Sequence, residues 1–429
     1  MSWPGRLPAR YASAAISAAL AFASVLPAQR PARADTLSTR VRDSILAAVL
    51  ADTLDLDLEP SVLLPPVPAF RQTLTLRPTL RRYTVGVVHA AEEASSVNWV
   101  GRFRRGTVRL DVTPVAYTGD TSTTASRPAV SFAGATPVSL RLDVPLRAAD
   151  TVRVFAQTTS LPGALDPVDA LALGAVGTST LDLDAGALGV TARIGARYVL
   201  SREIGGGALL SLRGGLEYEP KPAGREMVSW RGTTLRGGVA VSRESDLTTL
   251  GASVELTRSI ADSLGGRNLF PGGGALTIDA RVQRFIGEAG DGFVSLNGFH
   301  SRPVDMQRPD VATRIIPIGD FTGVTLAAAI PRGRLSVLPS LSYLRESSRA
   351  QAIVSGRDTR LVASGQSTAA SLGLSVPLGR LLTITPEAGV VIGDVGQTVT
   401  AQFPRRVRTL SFSDAIRGGW ASVELSFSR

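Results

Sequence analysis

Apolar and polar residues alternate with a period of two through most of this chain. In segment 417–429, RGGWASVELSFSR, every second residue from Ala421 to Phe427 is apolar, with Ser or Glu between. The pattern recurs in 188–198 and 250–256 with charged residues on the polar face. Because successive side chains of a strand point to opposite faces, the sequence predicts strands with one apolar and one polar face. A soluble β-sandwich and a membrane barrel both use such strands.

The lengths of the strands and of their connections separate these two folds. The predicted strands are mostly about ten to fourteen residues long, whereas sandwich strands average about five to six, and a tilted strand needs about 9 to 11 to cross a bilayer. Short connections such as 331–333 alternate with long ones at 160–186, 303–319 and 394–415, as in barrels with tight turns at one rim and long loops at the other. Fourteen strands are predicted, at 106–118, 138–147, 151–159, 187–200, 207–219, 230–243, 247–260, 274–287, 291–302, 320–331, 333–346, 364–378, 380–393 and 416–429.

The first 34 residues have the organisation of a secretory signal peptide. Two arginines precede an apolar run at 12–26, and residues 32–34 read Ala-Arg-Ala. We expect cleavage after Ala34, with Ala28 as the alternative. A membrane anchor is disfavoured because the run is about fifteen residues long and ends at Pro27.

Cysteine content and charge exclude several classes of function. The chain has no cysteine, which excludes disulfides, thiolate metal sites and cysteine nucleophiles. The net charge is +10, and removal of the signal with its four arginines leaves +6. This excess lies in 71–109, where eight arginines face two glutamates. Nucleic-acid binding would pair such a stretch with aromatic platforms or a recognisable motif. We therefore expect no nucleic-acid partner for an exported protein.

Residues 35–105 are predicted to form a separate N-terminal segment. Apolar residues at helical spacing predict an amphipathic helix over 36–54, and a proline-rich connector follows at 59–68. The basic stretch after it is ambiguous, because 83–89 and 97–103 could each be a strand. We expect the segment to plug the barrel as a hatch, or else to lie in the periplasm. Residues 106–429 are the predicted barrel.

Parity assigns a set of charged residues to the inner, lumen-lining face of the barrel. Their signs nearly balance, which predicts a weakly selective aqueous channel or a partly interlocked interior. The alternative is that these residues are polar only because a wall in contact with water requires polar side chains. The lumen-lining residues are Arg109, Asp111, Arg141, Asp143, Arg153, Arg193, Arg197, Arg213, Glu217, Arg236, Glu255, Asp279, Arg281, Glu387 and Glu424.

Aromatic residues near predicted strand ends suggest two interfacial girdles, since amphipathic rings favour the membrane interface. The set at the long-loop rim is Tyr117, Tyr218, Trp230, Phe299, Phe321, Tyr343 and Trp420. The set at the short-turn rim is Tyr198, Phe285, Phe293 and Phe427.

Two histidines, His89 and His300, offer little basis for catalysis. His300 stands beside Ser301, and neighbours on a strand point to opposite faces, so they cannot act together as base and nucleophile. The His-x-Ser arrangement of barrel lipases and deacylases is lacking. Two distant histidines make no zinc site, and the Gly-Gly repeats do not form a phosphate-binding loop. We expect no enzymatic activity, no metal and no cofactor.

The signal peptide and residues 106–429 together resemble a Gram-negative outer-membrane β-barrel protein. The resemblance implies an all-β, transmembrane, antiparallel up-and-down barrel of about fourteen strands in the cell outer membrane, with porin-like passive or facilitated passage of small solutes. Fatty-acid transporters with fourteen strands and a hatch are similar in architecture. The alternative is a structural or surface-interaction protein that uses loops 160–186 and 394–415.

The same resemblance implies partners. These are outer-membrane lipid and lipopolysaccharide, and the barrel-assembly machinery during biogenesis. That machinery recognises a closing strand with a final aromatic residue, a role that Phe427 fits, although Ser428 and Arg429 follow it.

Overall fold

A computed structural model gives the fold of the chain. It describes residues 70–86, 88–103, 106–121, 130–147, 150–158, 192–219, 232–245, 247–259, 262–264, 267–270, 274–286, 292–304, 313–316, 320–354, 357–379, 381–403 and 406–428. Its strands are β1 (Phe70–Val85), β2 (Val88–Phe103), β3 (Gly106–Thr121), β4 (Val130–Arg147), β5 (Asp150–Thr158), β6 (Arg193–Gly205), β7 (Ala208–Tyr218), β8 (Thr233–Ser245), β9 (Thr248–Ser259), β10 (Asp262–Leu264), β11 (Arg267–Phe270), β12 (Gly274–Ile286), β13 (Gly292–Val304), β14 (Thr313–Ile316), β15 (Phe321–Arg332), β16 (Leu335–Val354), β17 (Arg357–Leu378), β18 (Leu382–Phe403) and β19 (Arg406–Ser428).

Sixteen of these strands form a closed antiparallel up-and-down barrel. Each pairs with the next along the chain, with β9 joined to β12 and β13 to β15. Closure occurs where β19 returns to β1, from Thr73 opposite Ser428 to Val85 opposite Ile416. The remaining three strands are a small β10–β11 hairpin and β14, which pairs with β16. A closed barrel has no open sheet edge within its wall, so every backbone group there can be paired.

All fourteen predicted strands are confirmed, but the count of fourteen is too low and the barrel does not begin at residue 106. Residues 70–85 and 88–103 are β1 and β2, two further staves of the wall. The part of the predicted hatch that the structure describes is therefore barrel. Alternation in β1 was obscured by Pro78 and a cluster of arginines, and β2 carries small or polar residues on both faces. The predicted signal peptide and the helix at 36–54 lie outside the described residues.

The connections at the two rims differ, although not as regularly as predicted. Tight links join β2 to β3, β4 to β5, β6 to β7 and β15 to β16 at one rim, where β1 also begins and β19 ends. The long connection at 159–192 joins β5 to β6 at the opposite rim. The predicted loop at 394–415 is wrong, because these residues extend β18 and β19 as a hairpin. The Ser and Thr residues of this hairpin all lie on its outer face, so the outward apolar alternation on which the prediction depended stops here.

The upper parts of β16–β19, together with β14, extend beyond the long-loop rim. We call residues 347–354, 357–365, 395–403, 406–414 and β14 the upper sheet. Outward hydroxyls meet across β18 and β19, with Thr398 Oγ1 3.1 Å from Ser411 Oγ. At the base of the upper sheet, burial raises the pKa of the Asp414 carboxyl. A Cβ at Gly86, whose φ is 58°, would meet that carboxyl, so this turn requires glycine.

The outer face of the barrel carries an apolar band. On β9 the outward residues Leu250 to Leu256 are apolar and lie between Thr248 and Arg258. On β15 the band runs from Val324 to Ile330. Large apolar side chains in the band are strongly exposed, as in Val254 at 45%. Four outward residues per strand span about eight residues of strand, close to the 9 to 11 that cross a bilayer. No helix in the described part of the chain is long and apolar enough to cross a membrane.

Candidate functional site: the barrel lumen

The structure places all fifteen residues assigned to the lumen on the inner face. Directly opposed residues of paired strands share a face, and the register links them around the wall. Asp143 lies opposite Arg153, which lies opposite Arg197 on the next strand. The pairing of β6 with β7 places Glu217 on the same inner face, and Glu217 is 4% exposed. Inward residues converge inside the cylinder and are therefore less exposed than the apolar residues of the band.

One side of the lumen is dominated by arginine. We call eight inward residues of β4–β8 the arginine wall: Arg141, Asp143, Arg153, Arg193, Arg197, Arg213, Glu217 and Arg236. Six are arginines and two are acids, so this wall carries a local positive excess. The two acids hold most of the arginines in place through short charge-assisted contacts, which are stronger than neutral hydrogen bonds.

Glu217 is the centre of this wall. Its Oε1 accepts a hydrogen bond from Arg197 Nη2 at 2.9 Å, and its Oε2 accepts one from Arg236 Nη2 at 3.2 Å. Arg193 Nη1 lies 3.9 Å from the same carboxylate. Arg236 also donates to Glu255 of β9 at 2.9 Å. One carboxylate therefore holds three guanidinium groups from β6 and β8, and it joins strands that are not neighbours.

Asp143 organises the other half of the arginine wall. Arg141 Nη2 and Arg153 Nε each lie 2.8 Å from its carboxylate. Arg197 continues the series, because its guanidinium stacks 5.5 Å from the ring centroid of Phe155. Most residues of the arginine wall thus belong to two local networks, one around Glu217 and one around Asp143.

The remaining predicted residues are more dispersed. Asp111 accepts hydrogen bonds from Asn98 and, at 3.2 Å, from Ser139. Asp279 accepts one from Ser253, and Arg281 donates to Gln283. Arg109 and Glu424 are inward and partly exposed.

Sequence reasoning missed inward charges on β1 and β2, because it placed those residues outside the barrel. Arg77 donates to Glu387 of β18 at 2.7 Å, and so reaches across β19 at the point where the barrel closes. Arg81 contacts Glu92 at 2.5 Å, and Glu92 is completely buried. Two arginines of β1 therefore bind acids that lie to either side of this strand around the wall. Alternation of Thr73, Thr75 and Arg77 was the available signal.

The opposite side of the lumen is nearly uncharged. We call seven inward residues of β15–β17 the hydroxyl wall: Thr325, Ser336, Ser340, Ser342, Ser367, Ser371 and Ser375. Glycine and alanine stand between many of them, and Ser340 and Ser371 share a hydrogen bond of 2.7 Å. Seven strands separate β6 from β17 in either direction around the barrel. The hydroxyl wall is therefore diametrically opposite the arginine wall.

The prediction of two aromatic girdles is wrong for six of its residues. The register places Tyr117, Phe285, Phe293, Phe299, Phe321 and Trp420 on the inner face, and Tyr198, Tyr218, Tyr343 and Phe427 on the outer face. Trp230 lies outside the described residues. The inward rings lie over glycines of neighbouring strands: a Cβ at Gly389 would meet Trp420, and one at Gly323 would meet Phe299. An aromatic ring over a cross-strand glycine is a known stabilising pair in sheets.

The two histidines lie away from the lumen. His300 is outward and shares a hydrogen bond of 2.8 Å with Thr322, whereas Ser301 beside it is inward and buried. His89 shares one of 3.2 Å with Thr84 on the outer face. Within the part of the chain that the structure covers, no group of three or more His, Asp or Glu residues has the arrangement of a metal site.

A closed antiparallel wall with a polar inner face and an apolar outer band decides the architecture. By fold, the chain is a closed antiparallel β-barrel whose apolar outer band suits a membrane-spanning protein. No protein-family model matches the sequence, and neither does any curated protein sequence.

Solved structures with a similar barrel include three outer-membrane proteins or porins of Pseudomonas and Vibrio. Pseudomonas putida OprB is 9% identical with a TM-score of 0.43, and the match covers 84% of this chain and 94% of OprB. Pseudomonas aeruginosa OccK11 is 12% identical with a TM-score of 0.37, covering 84% and 96%. OmpT, an outer membrane protein of Vibrio cholerae, is 10% identical with a TM-score of 0.38, covering 85% and 99%. Similarity at this level concerns the barrel shape and extends to no residue of the lumen.

Proposed function

We propose that this protein is a passive channel for small polar solutes in the outer membrane. The observation that carries the proposal is a closed wall of sixteen strands whose inward residues are mostly polar. Barrels of eight strands are filled by their own side chains, whereas sixteen to eighteen strands leave an aqueous channel. The lumen of this barrel is then a water-filled path between its two rims.

The opposed walls suit a channel of low selectivity. A strongly ion-selective pore lines its path with one sign of charge, whereas Glu217 and Asp143 offset several arginines of the arginine wall. The hydroxyl wall supplies neutral donors and acceptors. A solute that passes between the walls meets guanidinium groups on one side and hydroxyls on the other, which suits small polar or weakly acidic molecules.

The orientation and route of export follow from the same architecture. One rim carries tight turns, the start of β1 and the end of β19, which favours the periplasm for that rim. The upper sheet then projects from the cell. We propose that residues 1–34 direct export and are removed, and that Phe427, outward at the end of β19, is read by the barrel-assembly machinery.

Swelling of liposomes that contain the refolded protein tests the channel. Neutral sugars of increasing size should enter at rates that fall with size, while protein-free liposomes remain tight. Equal rates with and without the protein, in samples whose barrel is shown to be folded by heat-modifiable migration, would contradict the proposal.

A second function is favoured by one observation, the projection of the upper sheet. Strands β16–β19 are 20 to 23 residues long, well beyond what a bilayer requires. This surface suits contact with another cell or molecule. Shortening the β18–β19 hairpin by removing residues 396–413 should abolish such contact in a cell-aggregation assay and leave liposome swelling unchanged. Loss of swelling alone would assign the hairpin to the channel.

A further inference from the structure

The upper sheet has an open edge along the upper part of its last strand. Residues 406–414 of β19 pair with β18 along their whole length. On the other side, β1 stops at Val85, opposite Ile416, and turns into β2. Among the described residues, no strand lies against 406–414 on that side. We call residues 406–414 the edge segment.

The backbone groups of the edge segment point alternately toward β18 and toward the open side, as in any antiparallel strand. Ala415, just below the segment, accepts a hydrogen bond from the Gly86 N–H at 3.2 Å, so its carbonyl points toward β1. Residues of the same parity, at 407, 409, 411 and 413, therefore direct their N–H and C=O groups to the open side. No described strand takes up these groups. The edge thus offers a row of donors and acceptors to a further strand.

The sequence of the edge segment favours pairing with another strand. Natural sheets protect exposed edges with proline, lysine, bulges or very short strands. The edge segment, RVRTLSFSD, contains no proline, glycine or lysine, and the register of β18 and β19 has no bulge. Its central residues combine high β-propensity with a single charge, a composition that favours association between strands. The outward residues along it are exposed, including Val407 at 64%.

The edge segment is complementary to a second copy of itself. When two such edges are aligned antiparallel about their centres, Thr409 of each copy stands opposite Ser411 of the other, and Val407 stands opposite Ser413. All four are residues whose backbone groups point to the open side, so each can bond to its counterpart. Hydroxyls already meet in this way within the sheet, where Thr400 Oγ1 lies 3.3 Å from Thr409 Oγ1.

Charge and strand direction favour an antiparallel pair between two membranes. Arg406 and Asp414 are at opposite ends of the edge segment, so antiparallel alignment brings unlike charges together and parallel alignment brings like charges together. Two barrels in one membrane present their edges in the same direction, whereas barrels in facing membranes present them in opposite directions. The upper sheet projects from the long-loop rim, where it can reach a copy in a facing membrane.

We propose that the edge segments of two copies of this chain, on facing cells, pair as antiparallel strands. The proposal rests on the second function given above, contact through the upper sheet, and it names the partner. Backbone hydrogen bonds supply the contact, and the opposition of Thr409 and Ser411 defines the register. Many copies on each cell form many such pairs, so contacts that are weak singly combine into firm attachment.

Clustering of liposomes that contain the refolded full chain tests the proposal. Because residue 409 stands opposite residue 411 of the other copy, Thr409→Lys with Ser411→Lys places like charges together and should abolish clustering. Thr409→Glu with Ser411→Glu should abolish it too. When the two kinds of liposome are mixed, lysine meets glutamate across the pair and clustering should return. Both positions are exposed, so both variants are expected to fold.

Strand β17 supplies a matched control. Val362 and Ser364 are outward and exposed on the same face of the upper sheet, two strands from the edge. Val362→Lys with Ser364→Lys adds the same charge to the same sheet without placing it at the edge. Liposomes with this variant should cluster as those with the unaltered protein do.

Three results would overturn the proposal. The first is unchanged clustering by the lysine variant at 409 and 411, with folding verified by heat-modifiable migration. The second is failure of the mixed liposomes to cluster, which would assign the loss to the added charge itself. The third is absence of clustering by the unaltered protein. Cell aggregation that requires residues 396–413 but survives both charge variants would also overturn the pairing and would leave the second function in place, so the two failures are distinguishable.

Discussion

The arginine wall and the hydroxyl wall face each other across one lumen, but different interactions hold them. In the arginine wall, Glu217 and Asp143 each bind several guanidinium groups, so removal of one acid leaves several charges without their partner. In the hydroxyl wall, contacts are pairwise and neutral, as between Ser340 and Ser371. One barrel therefore combines a cooperative, charged side with a neutral side whose contacts are local. Substitutions should therefore have unequal effects on the two walls.

The largest expected effect is that of Glu217→Ala. Removing one partner of a buried ion pair costs about 3 to 5 kcal/mol, and we expect about 3 kcal/mol because this carboxylate borders a wet lumen. Urea unfolding of the barrel from lipid vesicles measures it. Combining Glu217→Ala with Arg236→Ala should cost less than the sum of the two single changes. Strict additivity would show that the arginine wall is not a network.

A new arginine should be costly on the outer face and mild on the hydroxyl wall. Val254 lies in the middle of the apolar band, so Val254→Arg should cost about 2 to 4 kcal/mol by vesicle unfolding. Thr325 is inward on β15, and Thr325→Arg should cost far less, since its charge enters water. Equal costs at the two positions would mean that the inner face is a dry core and would remove the distinction between lumen and band.

The smallest effect is expected for Ser371→Ala in the hydroxyl wall. It removes one neutral hydrogen bond, whose net worth is about 0.5 to 1.5 kcal/mol. Ser340→Ala should cost a similar amount, and the double variant little more than either single variant, because both remove the same bond. A cost for Ser371→Ala as large as that for Glu217→Ala would erase the contrast between the walls.

Strand faces could be predicted from the sequence because parity is a local property. The alternation in a run such as 250–256 shows which residues share a face, and it does so without reference to the neighbouring strands. The same reasoning missed β1, where Pro78 and several arginines interrupt the apolar series, and it read the Ser- and Thr-rich residues 394–415 as a loop. In β1 the apolar series is interrupted, and in 394–415 the apolar residues lie on the inner face, so a search for outward apolar alternation misses both segments.

The contacts within the lumen depend on which strands are neighbours. Trp420 is inward because it shares the parity of Ser422 and Glu424, a local signal that the girdle prediction did not use; that its ring lies over Gly389 depends on the pairing of β19 with β18. Arg77 reaches Glu387 only because the first and last strands meet at closure. Sequence parity thus yields the list of inward charges, while closure and register decide which of them share a carboxylate.

Single-channel recording in a planar lipid bilayer tests the central claim, an open aqueous path between two unlike walls. We expect discrete conductance steps that are proportional to voltage and rise with salt concentration. In a salt gradient, Glu217→Gln, which removes a negative charge from the arginine wall, should shift the reversal potential toward anion preference, whereas Ser371→Ala should leave it unchanged. Absence of steps from a barrel shown to be folded and inserted would contradict the account, as would a reversal potential that Glu217→Gln does not move.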